Sequence, residues 1–326
     1  MFLSKKSHQN SQTFFQQKIK EYQNGEEWGK MKAPRANRFI ITHDKTNSML
    51  LAVEDLHEKL ERFDPQLFII SGVHMLESAE DDYRVKRVEE ICHKVSEIKR
   101  EVPVHLELAS MGDPLFIKEV AYKIVPYIDS LGLNEDELGH LYLQLGGSQL
   151  SIEDFHSPSV ATVEKALKYV LSSTSSFTDI PSHVNKRRLS RIHFHCLEFH
   201  VIVVLNSPSS SSFYHWQDNH VVSVVSASQA VSTRACNVTE LQEEEMELRA
   251  SLTFKLSDEN FVNISPLFPF FDWSSKLDNS DSNIHYYFTP VLVCKFPRKT
   301  VGCGDTVSST GLIYSLGTSQ NQKDEL

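Results

Sequence analysis

The sequence of 326 residues has no run of 18 consecutive apolar residues, so we expect no transmembrane helix. It also has no basic stripe: 33 Lys and Arg stand against 43 Asp and Glu, a net charge of −10, which argues against nucleic acid as the main partner. Its five cysteines form no CxxC pair, which argues against a zinc site. The 40% of apolar residues are enough for a real core in one large or two ordinary domains.

The two ends of the sequence point to different compartments. The first residues are polar and lack the apolar segment of a signal peptide. The last four, Lys323 to Leu326, read KDEL, the retention signal of the endoplasmic reticulum lumen. We expect residence in that lumen, the KDEL receptor as a partner, and a signal peptide on a longer N terminus. The alternative is that the C-terminal signal is idle.

Three segments are predicted along the chain. Residues 1–33 are a polar N-terminal segment in which 14–23 is predicted to be helical. Residues 34–317 are predicted to form one α/β domain, and residues 318–326 a flexible tail with the retention signal. We expect the protein to be a monomer.

Strand-like and helix-like segments alternate through the first half of the chain. Apolar residues at helical spacing predict helices, and short apolar runs between turns predict strands. The strands are predicted at 37–42, 67–72, 102–109 and 128–133, and the helices at 49–63, 79–101, 114–127 and 160–171. Such alternation favours a parallel α/β sheet, in which ligands bind beyond the carboxyl ends of the strands.

The second half is less regular. Its predicted elements are loops at 172–176, 178–182 and 208–212, strand-like runs at 191–197 and 199–205, a helix at 221–235, loops around short strands at 258–283, and a strand at 286–294.

The stretch after that last strand, GCGD at residues 302–305, predicts a glycine turn that opens a helix. Glycines let the backbone approach an anion closely, and the free N–H groups of the new helix point at it. Asp305 would repel a bound phosphate, so its carboxylate makes most sense as a base for a hydroxyl that attacks the phosphate. The plainer alternative is an N-capping Asp after a glycine turn.

Two acidic motifs follow earlier strands. His105 and Glu107 alternate within a strand and therefore point to one face, where Glu107 suits a hydrated Mg²⁺ or, alternatively, a strand-end ion pair. Asn134 and Glu137 stand at the start of a helix, where the alternative to a metal site is an N-cap with first-turn acids. His193, on a strand, is a residue type that more often belongs to a core than to a site.

The order HxE, NxxE and GxGD resembles the ribokinase-like sugar kinases, and more closely the ADP-dependent glucokinases. The resemblance runs from about residue 22 to 314 and rests on NRFI at 37–40, SGVHM at 71–75, HLELAS at 105–110, SLGLNEDE at 130–137, RIHFH at 191–195, and FTPVLVCK with TVGCGDTVS between 288 and 308. It implies a three-layer α/β/α sandwich, with the lid region largely missing from this sequence.

The resemblance also implies a reaction, the transfer of the β-phosphoryl group of ADP to the 6-hydroxyl of glucose, which leaves AMP. Asp305 would be the base, and the backbone amides of Gly302, Cys303 and Gly304 would form the anion hole. The implied ligands of Mg²⁺ are Glu107, Glu137 and Asp305. The implied nucleotide contacts are Asn134, His193 and Val301, and the implied sugar or phosphate contacts are Asn37, Arg38 and His74.

Two alternatives stay open. Family members carry a further N-terminal part that supplies the lid and most sugar contacts, so we expect this chain alone to have no useful activity. The protein could then be a catalytically silent nucleotide-binding fragment. Within the family, an ADP-dependent phosphofructokinase is the other possibility.

One disulfide is predicted. In an oxidising lumen exposed cysteine pairs tend to join. Cys236 ends the predicted helix 221–235 and Cys294 ends the strand before the glycine turn, so both lie close to segments expected around the nucleotide. We expect these two to bond to each other; the alternative is five free thiols.

Overall fold

The structure is a computed structural model that describes residues 16–22, 25–32, 37–43, 48–175, 187–206, 216, 219–256, 260–278 and 282–316. The predicted loops at 178–182 and 208–212 and the tail 318–326 lie outside the described residues.

Seven strands of the described residues form the main sheet: β5 Phe68–Ser71, β6 Val104–Glu107, β7 Ser130–Leu133, β8 Arg191–His195, β9 Phe199–Asn206, β13 Phe271–Lys276 and β14 Asn283–Pro290. Their order across the sheet is β13-β14-β9-β8-β7-β6-β5. The smaller pairs use β1 Gln16–Tyr22 with β4 Asn37–His43, β2 Glu27–Trp28 with β3 Met31–Lys32, β10 Met246–Leu248 with β15 Leu292–Cys294, and β11 Thr253–Lys255 with β12 Phe261–Asn263.

Only part of this sheet is parallel. β5 to β8 run parallel, as predicted, whereas β9, β14 and β13 each run antiparallel to the preceding strand in the sheet. The parallel arrangement, which was predicted from the first half of the chain, therefore does not extend to β9, β14 and β13. The reason is the link between β8 and β9, residues 196–198, which is too short for the crossover that parallel neighbours need.

The helices lie on both faces of the sheet. They are α1 Leu56–Phe63, α2 Asp81–Ser96, α3 Pro114–Glu119, α4 Glu135–Gln144, α5 Val160–Ser175, α6 His220–Cys236 and α7 Cys303–Ser315; α3 continues as a π turn, Val120–Ile124, and a 3-10 turn, Val125–Tyr127. Side chains of α5 share an apolar core with Ile192 and Phe194 of β8. On the opposite face, Gly311 of α7 lies against His193. The predicted three-layer α/β/α arrangement is confirmed.

Two local predictions are wrong. The helix predicted at 14–23 is not formed in its described part, because Gln16–Tyr22 is a strand that pairs with Asn37–His43. Residues 172–175 are not a loop but the last turn of α5. There the hydroxyl of Ser172 donates to the carbonyl of Lys168 at 2.9 Å, so the polar side chain is satisfied by the helix itself.

The predicted disulfide is confirmed. Cys236 and Cys294 are bonded and join the end of α6 to the end of β15, while Cys92, Cys196 and Cys303 form no disulfide. Among the described residues, no helix is both long enough and apolar enough to cross a membrane.

Candidate active site

The predicted site residues of three motifs meet at one edge of the sheet. β5, β6 and β7 are parallel neighbours, so their carboxyl ends lie side by side. His74 follows β5 after Gly72, whose φ of 99° requires glycine. Glu107 ends β6 and Asn134 follows β7. This is the edge at which ligands bind in such sheets.

Glu107 is held by donors from two sides. Its Oε2 lies 3.1 Å from Nε2 of His105, and its Oε1 accepts a hydrogen bond from the hydroxyl of Ser308 at 2.9 Å. His195 lies 3.7 Å from Oε1. Burial acts to raise the pKa of Glu107, but the contacts with His105 and His195 outweigh it and hold the pKa at about 2. Glu107 is therefore ionised at neutral pH.

A buried chain of polar groups orients His105. Arg191 donates from Nη1 to the hydroxyl of Ser130 at 3.1 Å, and that hydroxyl lies 2.9 Å from Nδ1 of His105. Because Arg191 can only donate, the hydroxyl proton of Ser130 is left for Nδ1, and Nε2 of His105 carries its proton towards Glu107. Burial lowers the pKa of His105, so this ring is neutral. Burial also lowers the pKa of Arg191, to about 9.

Two glycines make room for this network, and the sequence reasoning missed both. A Cβ on Gly132 would overlap Oε2 of Glu107, and a Cβ on Gly311 would come within 2.7 Å of the His193 ring. A glycine inside a strand often marks a close approach of another group, and this signal was available for Gly132 in the run SLGL.

Glu137 lies in a capping box, the plainer of its two predicted roles. Its Oε2 accepts from the N–H of Asn134 at 2.9 Å, its Oε1 accepts from Nδ2 of Asn134 at 3.0 Å, and Oδ1 of Asn134 accepts from the N–H of Glu137 at 3.0 Å. Burial raises the pKa of Glu137 to about 7. Glu137 also lines a cleft of about 320 Å³ together with Asp136 and His140.

The GxGD turn has the predicted form. Gly302 is the N-cap of α7 with a φ of 73°, in the left-handed region, and it has no side chain to cap the helix. Cys303 begins the helix, and Asp305 is exposed in its first turn. Ser308, one turn later, is the residue that bonds to Glu107, so the two motifs form one assembly.

The remaining predicted residues are distributed differently. His193 is completely buried beneath Gly311, so its ring has no exposed surface for the predicted nucleotide contact. The carbonyl of Val301 accepts from Arg234, and His74 is half-buried, with its pKa lowered mainly by burial. Asn37 and Arg38 begin β4, opposite Tyr22 and Glu21 of β1, and their predicted contacts stay predictions.

Residues 3–314 match the conserved region described as ADP-specific phosphofructokinase/glucokinase. The chain belongs to this family. An ADP-dependent glucokinase from Bos taurus is 35% identical over 302 residues, and a probable ADP-dependent glucokinase from Caenorhabditis elegans is 33% identical over 306. Each match covers 91% of this chain, but the chain spans only 57% and 58% of those relatives' lengths.

Solved structures of the family have the same fold. An ADP-dependent phosphofructokinase from Pyrococcus horikoshii OT3, described as hypothetical, aligns with a TM-score of 0.57 at 15% identity, covering 92% of this chain and 63% of the other. An ADP-dependent kinase in complex with fructose-6-phosphate and ADPbetaS aligns with a TM-score of 0.57 at 18% identity, covering 94% and 66%. At these identities the likeness shows the fold alone, and it confirms the ribokinase-like class.

Mg²⁺, which the family resemblance implies, fits these residues through water. Both oxygens of Glu107 are engaged by Ser308 and His105, and both oxygens of Glu137 by Asn134. Within the part of the chain that the structure describes, no three His, Cys, Asp or Glu side chains are grouped to bind a metal directly. Mg²⁺ usually keeps several of its waters, so an ionised Glu107 suits it as an outer ligand.

Proposed function

We propose that the chain is part of an enzyme that transfers the β-phosphoryl group of ADP to the 6-hydroxyl of glucose, giving glucose 6-phosphate and AMP, a step in glycolysis. The observation that carries the proposal is the 2.9 Å hydrogen bond from Ser308 to Glu107. It ties the HxE strand to the helix that presents Gly302 and Asp305. The two relatives named as glucokinases support glucose as the acceptor.

Each group has a role that its place in the fold allows. Asp305 is exposed in the first turn of α7, where a sugar hydroxyl can reach it and lose its proton to the carboxylate. The N–H groups of Gly302, Cys303 and Gly304 stand at the start of the same helix, where they would stabilise charge on the moving phosphoryl group. Glu107 would hold waters of Mg²⁺, which when bound neutralises charge on the diphosphate.

The test is Asp305→Asn, assayed for glucose 6-phosphate formed from ADP and glucose. Removal of general-base help should lower kcat by about 10²–10⁴-fold while calorimetry still detects ADP binding. The matched control is Asp82→Asn, which removes an exposed first-turn Asp from α2 and should leave kcat unchanged. Equal activity of Asp305→Asn and the wild type would contradict the proposed base.

The assay is run on the 326-residue chain and on a form extended at its N terminus. Positioning of the acceptor can supply roughly 7–11 kcal/mol of barrier reduction, so a base without a held sugar should achieve little. We expect activity only from the extended form. Robust activity from residues 1–326 would contradict the expectation that the sugar contacts lie outside this chain. ADP binding without turnover in either form would favour the silent nucleotide-binding fragment.

Fructose 6-phosphate is the acceptor to test in parallel. The solved complex with fructose-6-phosphate belongs to a protein of the same fold, so an ADP-dependent phosphofructokinase is the second candidate. A kcat/KM for fructose 6-phosphate above that for glucose would favour it.

We also propose a cellular compartment, a binding partner and an oligomeric state for the protein. The KDEL ending supports residence in the endoplasmic reticulum lumen and binding to the KDEL receptor, and the Cys236–Cys294 disulfide is compatible with an oxidising lumen. A tagged full-length protein found wholly in the cytosol would contradict this. We also propose a monomer, which light scattering of the purified protein would test.

A further inference from the structure

The peptide that leads into the GxGD helix is held by an arginine from another helix. The carbonyl oxygen of Val301 accepts two hydrogen bonds from Arg234, from Nε at 2.9 Å and from Nη2 at 2.6 Å. Arg234 lies in the last turn of α6, 67 residues away in sequence. No motif of the family resemblance includes this residue.

The guanidinium group also lies directly against Gly302. A Cβ added to Gly302 would come within 2.8 Å of Nη2 of Arg234, so glycine is required for the close approach as well as for the φ of 73°. Arg234 therefore bonds to the Val301 carbonyl and occupies the space that a side chain at position 302 would need.

This contact sets the direction of an anion-hole donor. In a planar trans peptide the carbonyl and the N–H point in opposite directions. Since Arg234 holds the carbonyl of Val301 on one side, the N–H of Gly302 points to the other side, away from the guanidinium. A carbonyl that accepts from a cation also polarises its peptide, which makes that N–H a stronger donor.

The end of α6 holds the rest of the loop too, so Arg234 has a rigid base although its side chain is exposed. The carbonyl of Ala235 accepts from the N–H groups of Arg298 at 2.7 Å and Lys299 at 3.1 Å. The next residue, Cys236, is bonded to Cys294 at the end of β15. Three consecutive residues of one helix turn thus anchor the segment 294–301.

We propose that Arg234 is a positioning residue of the phosphoryl site: by holding the Val301 carbonyl, it aims the N–H of Gly302 at the diphosphate of the nucleotide. The inference rests on the proposed function, because it assigns a role in the same transfer. The role depends on the planar shape of the guanidinium group, which donates two hydrogen bonds to one carbonyl. A lysine keeps the charge but lacks this shape, so it does not replace Arg234.

The test compares Arg234→Lys and Arg234→Gln with the wild type in the N-terminally extended protein. We expect kcat to fall roughly 10–100-fold in both variants, somewhat less than the loss when an oxyanion donor is removed outright. KM for ADP should change by less than about fivefold, because the role concerns transfer more than binding. The control is Arg249→Gln, which removes an exposed arginine paired with Glu247 and should leave both constants unchanged.

A second readout needs no turnover. Selective ¹⁵N-glycine labelling gives one amide signal for each glycine. Titration with inorganic pyrophosphate should shift the Gly302 signal in the wild type and in Arg249→Gln. The shift should be much smaller in Arg234→Lys and Arg234→Gln. The signal of Gly147, which lies against the Tyr142 ring, should have the same position in all four proteins and should not respond to pyrophosphate, which shows that they are folded.

The results of these experiments distinguish the positioning role of Arg234 from the proposed function. An active wild type with fully active Arg234→Lys would overturn the positioning role, because charge alone would then suffice. A rise in KM for ADP with unchanged kcat would overturn it as well. A wild type that neither turns over nor responds to pyrophosphate would defeat the proposed function itself, and the role of Arg234 with it.

Discussion

Glu107 and Glu137 end neighbouring motifs at the same edge of the sheet, yet their surroundings act on them in opposite directions. The pKa of Glu107 is held at about 2, whereas that of Glu137 is raised to about 7. Both are largely buried, so burial alone does not explain the difference. Glu107 faces His105 of its own strand and His195 and Ser308 of other elements, while the hydrogen bonds of Glu137 among the described residues are those of its own helix cap.

The difference separates two kinds of acid. Glu107 is a permanent charge that the tertiary structure stabilises, and it joins β6 to α7. Glu137 is a local capping residue that lines a cleft and whose pKa is raised by burial to about 7. Stability measurements on variants of the two residues test this difference.

The largest effect on stability is expected for Glu107→Gln. Glutamine has the same shape, but only one of its two terminal atoms is an oxygen that accepts hydrogen bonds. Its NH₂ group would therefore face one of the two donors, His105 or Ser308. We expect a loss of about 3 kcal/mol in the free energy of unfolding and a large fall in turnover. Urea unfolding measures the first, with Glu58→Gln, an exposed i,i+4 partner of Arg62, as the control. Equal losses in the two variants would remove the distinction drawn for Glu107.

The pH dependence should have opposite signs at the two positions. The lowered pKa of Glu107 contributes stability that is present above about 4.5 and is lost as the pH falls towards 2. The raised pKa of Glu137 means that the folded state binds the proton more tightly, so stability is lost as the pH rises from 4.5 through 7. Unfolding is measured in metal-free buffer as a function of pH. The difference in the free energy of unfolding between the wild type and Glu107→Gln should rise with pH, whereas the difference between the wild type and Glu137→Gln should fall with pH. Neither slope should exceed about 1.4 kcal/mol per pH unit. Slopes of the same sign would contradict the comparison.

A smaller effect is expected for Ser308→Ala. The change removes one donor from Glu107 and the link between α7 and β6. It should lower the free energy of unfolding by about 1 kcal/mol and reduce turnover by more than Ser309→Ala does, because Ser309 is exposed and donates only to the carbonyl of Thr306. If Ser308→Ala and Ser309→Ala change the free energy of unfolding and the turnover by equal amounts, the hydrogen bond to Glu107 contributes nothing specific to stability or activity.

The smallest change in stability is expected for Glu137→Gln. Glutamine can keep the capping box, so at about pH 4, where the Glu137 carboxyl group is protonated, the free energy of unfolding should change by less than about 0.5 kcal/mol. If Glu137 also orients waters of Mg²⁺, turnover should fall and the Mg²⁺ requirement should rise. A magnesium titration of the activity measures this. Unchanged turnover and an unchanged requirement would leave the capping role alone.

Local features of the site could be read from the sequence. The glycine turn, the first-turn Asp305 and the capping box of Asn134 and Glu137 each depend on residues within a few positions of one another. The alternation of strands and helices up to β8 was also predicted, because each parallel strand there follows a helix. The strand Gln16–Tyr22 was missed, since its pairing with Asn37–His43 outweighs the polar, helix-like composition.

Which acids, glycines and cysteines the protein has, and where each lies along its helix or strand, follows from the amino-acid sequence. Packing between distant elements brings Ser308 to Glu107 across 201 residues, buries His193 and places Arg234 against Val301. A cap or turn is closed by neighbours in the chain, whereas these contacts require strands in register and helices packed on one face. The pKa of Glu107 shows both contributions, because His105 comes from its own strand two residues away, while His195 comes from another strand of the sheet.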